Sequence, residues 1–201
     1  MSPAPRTGAR AGALLLAPGA SAGRDQPALV SIDEAVSATG IVVDRMDFPY
    51  RLAGKRAPDK APVLVYAVEE NARRLAERAG VEQARVALGG RSMGGRMASM
   101  AVAQGFAAAA LVLVSYPLHP PGHPEKSRTE HLGALHLPCL FISGTRDAFG
   151  TREELEAATD AIPGSVTHVW VEGGDHGLRR RDGDVAAAIT AWLKPPPRRR
   201  S

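Results

Sequence analysis

The sequence predicts an α/β fold, a doubly wound and mainly parallel sheet of about six strands with helices on both faces. Short apolar runs bounded by Gly and Pro alternate with longer amphipathic stretches, as in successive β-α-β units. Several runs are apolar at every position, which is typical of strands covered on both faces. A chain of 201 residues is long enough for one such domain and short for two. We therefore expect a domain over residues 11–194, a flexible N-terminus over 1–10 and a disordered basic tail over 195–201.

The first half of the chain contains three predicted strands and two predicted helices. Apolar side chains recur at helical spacing in both helices, and Gly80 ends the second one. In chain order the elements are a strand at 13–17, a helix at 28–39, a strand at 40–44, a helix at 62–79 and a strand at 85–88.

The second half continues the alternation. The elements are a helix at 96–104, strands at 110–115 and 140–143, a helix at 151–162, a strand at 166–171 and a helix at 183–193. Thr151 and Glu154 have the spacing of a capping box. About two dozen proline-rich residues separate Ser115 from Leu140. That segment is too short for a cap domain, so we expect an open site.

Composition and charge exclude several classes of function. The chain is 44% hydrophobic and 23% charged, as ordinary globular proteins are. Its net charge of +4 owes much to Arg198, Arg199 and Arg200 in the tail, and no basic run is interleaved with aromatic residues, so we expect no nucleic-acid partner. The single cysteine, Cys139, excludes an internal disulfide. No apolar run approaches the roughly 20 residues of a membrane span.

The N-terminus has some features of a signal peptide. Arg6 and Arg10 precede a short apolar run, and Ala20-Ser21-Ala22 has the small residues of a cleavage site. The same apolar residues form the first predicted strand, and cleavage would remove it. We therefore expect a cytoplasmic protein.

Gly90-Arg91-Ser92-Met93-Gly94 fits the G-x-S-x-G pattern of a nucleophile elbow. The motif lies between a predicted strand and a predicted helix, which is the context that the elbow requires. A glycine turn that binds phosphate is the alternative, but the G-K-[ST] ending of such loops is missing.

A serine hydroxyl needs a base, and the base needs an acid to orient it. Asp147 and His176 each follow their own predicted strand, and reactive groups of parallel sheets collect at the carboxyl ends of strands. The chain order Ser, Asp, His is that of α/β-hydrolases. We therefore predict Ser92, Asp147 and His176 as a catalytic triad.

Both triad partners have alternative interpretations. Asp147 could be a helix cap or the ion partner of Arg146 or Arg152. His176 could be an ordinary loop histidine held by Asp175, which is also a rival for the catalytic acid. Adjacent side chains tend to diverge in a loop, so Asp147 is the preferred acid.

Acyl transfer also requires donors for the oxyanion. The amide of Met93, directly after the nucleophile, is one predicted donor. The other should come from the loop after the first strand, where we choose the Ala20 amide because Pro18 has no N–H.

Four segments together resemble the α/β-hydrolase family that includes testis-expressed protein thirty and the hydrolase-like domain of a nonspecific lethal chromatin-complex subunit, distantly similar to dienelactone hydrolases. They are residues 89–96, 116–122, 143–147 and 173–176. The resemblance implies a minimal α/β-hydrolase fold without a cap domain. Two features depart from it: Pro18-Gly19 replaces the usual His-Gly, and Ser92 stands where dienelactone hydrolases have cysteine.

We expect the site to be lined by Tyr116, Leu118, His119 and Phe149. Arg91 or Arg96 could hold an anionic substrate group, or could brace loops through ion pairs. Four histidines lie close together in the sequence, but their spacing matches no known zinc motif, and we expect neither metal nor cofactor. They are His119, His123, His131 and His136.

The predicted function is hydrolysis of small soluble esters or related acyl compounds through an acyl-serine intermediate. A serine peptidase or a thioesterase would use the same residues. A non-catalytic scaffold with the same fold is the alternative from another class.

Overall fold

The computed structural model describes residues 11–193, which form a six-stranded parallel sheet of order β2-β1-β3-β4-β5-β6. Every neighbouring pair of strands is parallel, so the predicted sheet is confirmed. The predicted flexible N-terminus and basic tail lie outside the described residues. The strands are β1 Ala13–Ala17, β2 Val42–Arg45, β3 Val86–Arg91, β4 Leu111–Val114, β5 Cys139–Gly144 and β6 Val166–Val171.

Each long helix begins within a few residues of its predicted start. The predicted capping box forms at the start of the fifth helix. Thr151 Oγ1 accepts from the Glu154 amide at 3.2 Å, and the Glu154 carboxylate accepts from the Thr151 amide at 2.8 Å. The helices are α1 Pro27–Ser37, α2 Pro49–Leu52, α3 Ala61–Ala79, α4 Met93–Ala103, α5 Arg152–Thr159 and α6 Asp182–Leu193, with 3-10 turns at Gln83–Arg85 and Leu132–Ala134.

The sheet separates two apolar cores because successive side chains of a strand point to opposite faces. In β1, Leu15 packs with α3 and α4, whereas Leu14 and Leu16 pack with α1 and α6. All three leucines are buried, and full burial of such a side chain is worth about 1.5–3 kcal/mol. Continuous apolar runs are therefore required in the central strands, as the sequence indicated.

The apolar residues that resemble part of a signal peptide are β1. This strand is hydrogen-bonded to β2 on one edge and to β3 on the other, and its side chains are buried. Removal of residues 13–17 would separate β2 from the rest of the sheet. Across residues 11–193, no helix combines the length and the apolar character that a membrane crossing requires.

The connection from β4 to β5, residues 115–138, contains a single 3-10 turn and no inserted domain. The carboxyl edge of the sheet, where β1, β3, β5 and β6 end, is therefore not covered by a cap, as predicted. All the loops that carry candidate catalytic residues open onto this edge.

Candidate active site

Ser92 occupies the one position between β3 and α4. Its backbone has φ 51° and ψ −117°, a conformation that costs energy for a residue with a side chain and that is found mainly at functional sites. The Ser92 amide donates to the Val114 carbonyl of β4 at 2.8 Å, which fixes the turn to the neighbouring strand. The serine side chain therefore stands above the carboxyl edge of the sheet.

Two glycines make this turn possible. A Cβ on Gly90 or on Gly94 would collide with the carbonyl oxygen of Ala17 at the end of β1. Both sides of the elbow consequently pack directly against β1.

The sequence prediction stopped the strand at residue 88 and began the helix at residue 96, whereas β3 continues to Arg91 and α4 begins at Met93. Glycine usually breaks strands and helices, but here it permits close approach.

The structure brings Ser92, His176 and Asp147 into one hydrogen-bonded row. His176 Nε2 lies 2.9 Å from Ser92 Oγ, and His176 Nδ1 lies 2.9 Å and 3.0 Å from the two carboxylate oxygens of Asp147. A carboxylate can only accept, so Nδ1 carries the proton and Nε2 is free to accept the serine proton. This is the arrangement that a hydroxyl nucleophile requires.

Asp147 is held independently of the histidine. Its side chain is 2% exposed, and one of its oxygens also accepts from the Phe149 amide at 2.8 Å. The Phe149 ring stacks on the imidazole with the ring centres 4.0 Å apart. Within residues 11–193, the rival acid Asp175 makes no hydrogen bond to the His176 ring.

The loop after β1 is fixed by two side chains. The buried Tyr50 hydroxyl donates to the Ala20 carbonyl at 2.6 Å, and the Gly19 amide donates to Gln26 Oε1 at 3.3 Å. Ala20 and Met93 both line the cavity that contains Ser92. Tyr50 and Gln26 thus stabilise a loop that lacks the usual His-Gly pair.

The cavity above Ser92 has a volume of about 460 Å³. A neighbouring cavity of about 520 Å³, in the 172–181 loop, contains none of the three side chains of the hydrogen-bonded row. The first cavity is lined by Gly19, Ala20, Ser21, Gln26, Arg91, Ser92, Met93, Arg96, Pro117, Arg128, Phe149 and His176.

A family model described as an alpha/beta hydrolase domain matches residues 10–190. The chain belongs to the alpha/beta hydrolase family. The narrower resemblance to testis-expressed protein thirty and the chromatin-complex subunit stays a prediction.

Solved structures share the fold of this alpha/beta hydrolase at low sequence identity. A serine hydrolase homologue from Coxiella burnetii has a TM-score of 0.75 at 16% identity over 90% of this chain and 85% of its own. Dienelactone hydrolase from Anabaena variabilis has a TM-score of 0.74 at 19% identity, over 91% and 85%. Est1E from Butyrivibrio proteoclasticus has 0.73 at 14%, over 92% and 88%.

Three of the expected lining residues of the hydrolase do not line its cavity. Tyr116 is buried against Phe141, with ring centres 5.7 Å apart, and Leu118 packs beside Gly150. His119 is turned towards Glu154, with Nε2 3.2 Å from the carboxylate. The sequence could not show which side of the 115–138 connection faces the core. Pro117 lies at the cavity instead, and Phe149 lines it as expected.

Arg91 lines the cavity as expected and also braces the loop that carries His176. Its Nη2 donates to the His176 backbone carbonyl at 2.6 Å. Burial lowers the pKa of Arg91, although Asp182, Asp147 and Asp175 act in the opposite direction. The sequence suggested that this arginine could brace loops through ion pairs. Arg91 instead braces the loop through a backbone carbonyl, and within residues 11–193 it forms no ion pair.

Three of the four clustered histidines have separate partners. His131 contacts Ser99 Oγ at 2.8 Å, and burial together with nearby Arg96 lowers its pKa to about 4. His123 contacts Glu125, and His119 contacts Glu154. Over the part of the chain that the structure describes, no three His, Cys, Asp or Glu side chains form a metal-binding group.

Arg128 and Gln26 are among the cavity residues that the sequence prediction missed. Each lies in a loop with no motif around it. Tyr50, which fixes the Ala20 loop, lies on the short helix α2, which was also not predicted. Phe48-Pro49, an extended residue followed by proline at a helix start, was the available signal.

Proposed function

We propose that this alpha/beta hydrolase is a serine hydrolase that cleaves small ester substrates through an acyl-enzyme intermediate on Ser92. The observation that carries the proposal is the hydrogen-bonded row of Ser92, His176 and Asp147 at the uncapped edge of the sheet. Three groups from three separate loops meet with the atoms in the order that proton transfer requires.

In the acylation step, His176 Nε2 accepts the Ser92 hydroxyl proton while Oγ attacks the ester carbonyl. The imidazolium that forms is stabilised by the buried Asp147 carboxylate, which lies 2.9 Å from Nδ1. The tetrahedral intermediate then collapses, and His176 returns the proton to the leaving alcohol. The acyl group remains on Ser92.

The negative oxygen of the tetrahedral intermediate needs donors, and we assign the amides of Met93 and Ala20. Within residues 11–193 neither amide donates to another group, and both residues line the cavity. In the deacylation step, His176 removes a proton from water as the water oxygen attacks the acyl carbonyl. The bond between the acyl carbon and Ser92 Oγ then breaks, His176 returns the proton to Oγ, and the acid is released.

The size of the substrate follows from the cavity. A volume of about 460 Å³ is at the small end of ligand sites, and no cap domain extends it. Small esters therefore fit better than long lipid chains. A thioester or a peptide bond would react by the same steps, so the ester assignment belongs to the proposal.

The test is hydrolysis of a short-chain nitrophenyl ester by the wild type, Ser92→Ala and Ser127→Ala. Ser127 is exposed and contacts Thr129, outside the cavity, so it is a matched control. We expect turnover by the wild type and by Ser127→Ala, and loss of about 10³-fold or more in Ser92→Ala. Equal rates in all three would remove the nucleophile assignment, and no turnover by any would favour a non-catalytic scaffold.

We also propose that the protein is cytoplasmic, as expected from the sequence. It is supported by the position of β1 between β2 and β3, because a cleaved signal segment would take this strand with it.

A further inference from the structure

Three arginines line the cavity of Ser92, and each comes from a different element. Arg91 is the last residue of β3, Arg96 lies in the first turns of α4, and Arg128 lies in the 115–138 connection. Within residues 11–193 none of the three forms an ion pair with a carboxylate. Asp147, Asp175 and Asp182 act on Arg91 from a distance, but no carboxylate within residues 11–193 pairs with Arg96 or Arg128. Unpaired cationic side chains that line a concave site attract anions.

These charges are also partly removed from water. The Nε atoms of Arg91 and Arg96 are buried and have no hydrogen-bond partner among the described residues. Burial lowers the pKa of Arg128, and nearby Arg96 lowers it further. A buried charge without a partner destabilises a fold, so its retention in this cavity calls for a functional explanation.

Hydrogen bonds hold two of the three arginines, Arg91 and Arg128, in place. The Tyr116 hydroxyl donates to the Arg128 carbonyl at 3.0 Å, and the Arg128 amide donates to the Leu118 carbonyl at 2.8 Å. Arg91 is fixed by its bond to the His176 carbonyl. The buried residues Tyr116 and Leu118 thus position the segment that carries Arg128, rather than contacting substrate themselves.

We propose that the cavity recognises esters whose acyl or alcohol part carries a second, anionic group, a carboxylate or a phosphate, held by Arg96 and Arg128. This inference rests on the proposed ester hydrolysis and adds the class of substrate. A guanidinium donates two parallel hydrogen bonds to such groups, which suits a planar carboxylate and a phosphate equally. Arg91 is the positioning residue of the three, because its Nη2 is already used by the His176 loop.

The binding test uses calorimetry at low salt with adipate and with glycerol phosphate, which separate a carboxylate from a phosphate preference. The proteins are the wild type, Arg96→Gln, Arg128→Gln and the control Arg78→Gln, whose arginine pairs with Asp44 at 3.2 Å outside the cavity. We expect the wild type and the control to bind one of the anions alike. Each cavity variant should bind it about tenfold or more weakly.

Two outcomes would overturn the anion site: binding of neither compound by the wild type, or equal binding by all four proteins.

The midpoint of thermal unfolding distinguishes an arginine that binds anions from one that only stabilises the fold. Removal of an unpaired charge should leave the unfolding midpoint of Arg96→Gln unchanged or higher. A lower midpoint together with unchanged anion binding would make Arg96 a structural residue and contradict the proposal.

Turnover of nitrophenyl hexanoate, which carries no anionic group, reports on the hydrolase function separately. Hydrolysis that depends on Ser92, combined with equal anion binding by all four proteins, would remove the anion site alone. Anion binding that depends on Arg96 and Arg128, without any hydrolysis, would support the anion site and contradict the proposed ester hydrolysis.

Discussion

The imidazole of His176 is held from three directions. Asp147 binds its Nδ1, the Phe149 ring lies against its face, and Arg91 binds the backbone carbonyl of the same residue. An imidazole fixed in this way keeps Nε2 directed at Ser92 without any rearrangement when substrate arrives. The orientation depends most on the acid, because among these three contacts only the Asp147 carboxylate selects the tautomer as well as the position.

Replacement of Asp147 by Asn tests the acid. The variant keeps the shape of the side chain but loses the charge that stabilises the imidazolium, so we expect kcat to fall by about 10³–10⁴-fold. Asp175→Asn is the matched control, and we expect it to retain kcat within about threefold because Asp175 makes no bond to the ring. Steady-state ester hydrolysis measures both. A larger loss of kcat in Asp175→Asn than in Asp147→Asn would show that Asp175 is the acid that orients His176.

Replacement of Tyr50 by Phe tests the loop after β1. Loss of the 2.6 Å bond to the Ala20 carbonyl should loosen the Ala20 amide, and we expect kcat to fall by about threefold to tenfold with little change in KM. Tyr66→Phe is the control, since this tyrosine is 62% exposed. Equal kcat values for the two variants and the wild type would show that the Tyr50 hydroxyl does not contribute to catalysis.

For single residues, the sequence predicted those whose position after a strand follows a general rule. It missed those whose position depends on how a long loop folds. Ser92, Asp147 and His176 each follow a strand, and the structure brings them together. The burial of Tyr116 and Leu118 depends on how the 115–138 connection turns against α4 and β5, which no local pattern records. Arg128 lies at the cavity for the same reason.

The turn between β3 and α4 determines the position of Ser92, the proposed nucleophile. Its geometry depends on contact with β1, whose Ala17 carbonyl leaves no room for a side chain at either Gly90 or Gly94. The strain at Ser92 is therefore maintained by packing of three elements, and not by the loop alone.

Gly94→Ala tests this packing. The added methyl group must displace α4 or β1, so we expect a loss of about 1–3 kcal/mol in the free energy of unfolding and a fall in activity as the Met93 amide moves. Gly183→Ala is the control, because no atom lies within 4 Å of its Cβ position and Ala favours helices by up to about 1 kcal/mol. Denaturant unfolding distinguishes them. A neutral Gly94→Ala would contradict the contact with β1.

Helices and strands were predictable where periodicity is strong and less so where glycine or short length interferes. The bounds of β1 and β6 were predicted to the residue, and α3 within one residue at its start. β3 was cut short because Gly89 and Gly90 suggested a turn, and α2 was missed because it spans only Pro49–Leu52.

Residues 11–193 form a sheet between two layers of helices, and Ser92, Asp147 and His176 lie together at its carboxyl edge. The alternation of the two cores was predictable, because continuous apolar strands require cover on both faces. The order of the strands was not, since β1 lies between β2 and β3 through connections that leave no mark in local sequence.

The uncapped edge limits the length of substrate that the site can hold. We expect kcat/KM for nitrophenyl esters to be highest for short acyl chains and to fall beyond about eight carbons, because the cavity of about 460 Å³ has no cap to cover a longer chain. A series of esters measured with the wild type, and with Ser92→Ala as the blank, gives the profile. Activity that keeps rising beyond that length would contradict a small, open site.

Labelling with a fluorophosphonate probe tests most directly whether His176 activates Ser92 as a nucleophile. The wild type should form one covalent adduct, located by mass spectrometry on the peptide that contains Ser92, and Ser92→Ala should form none. Equal labelling of the two proteins would show that another residue is the nucleophile, and absence of labelling in both would contradict an activated serine.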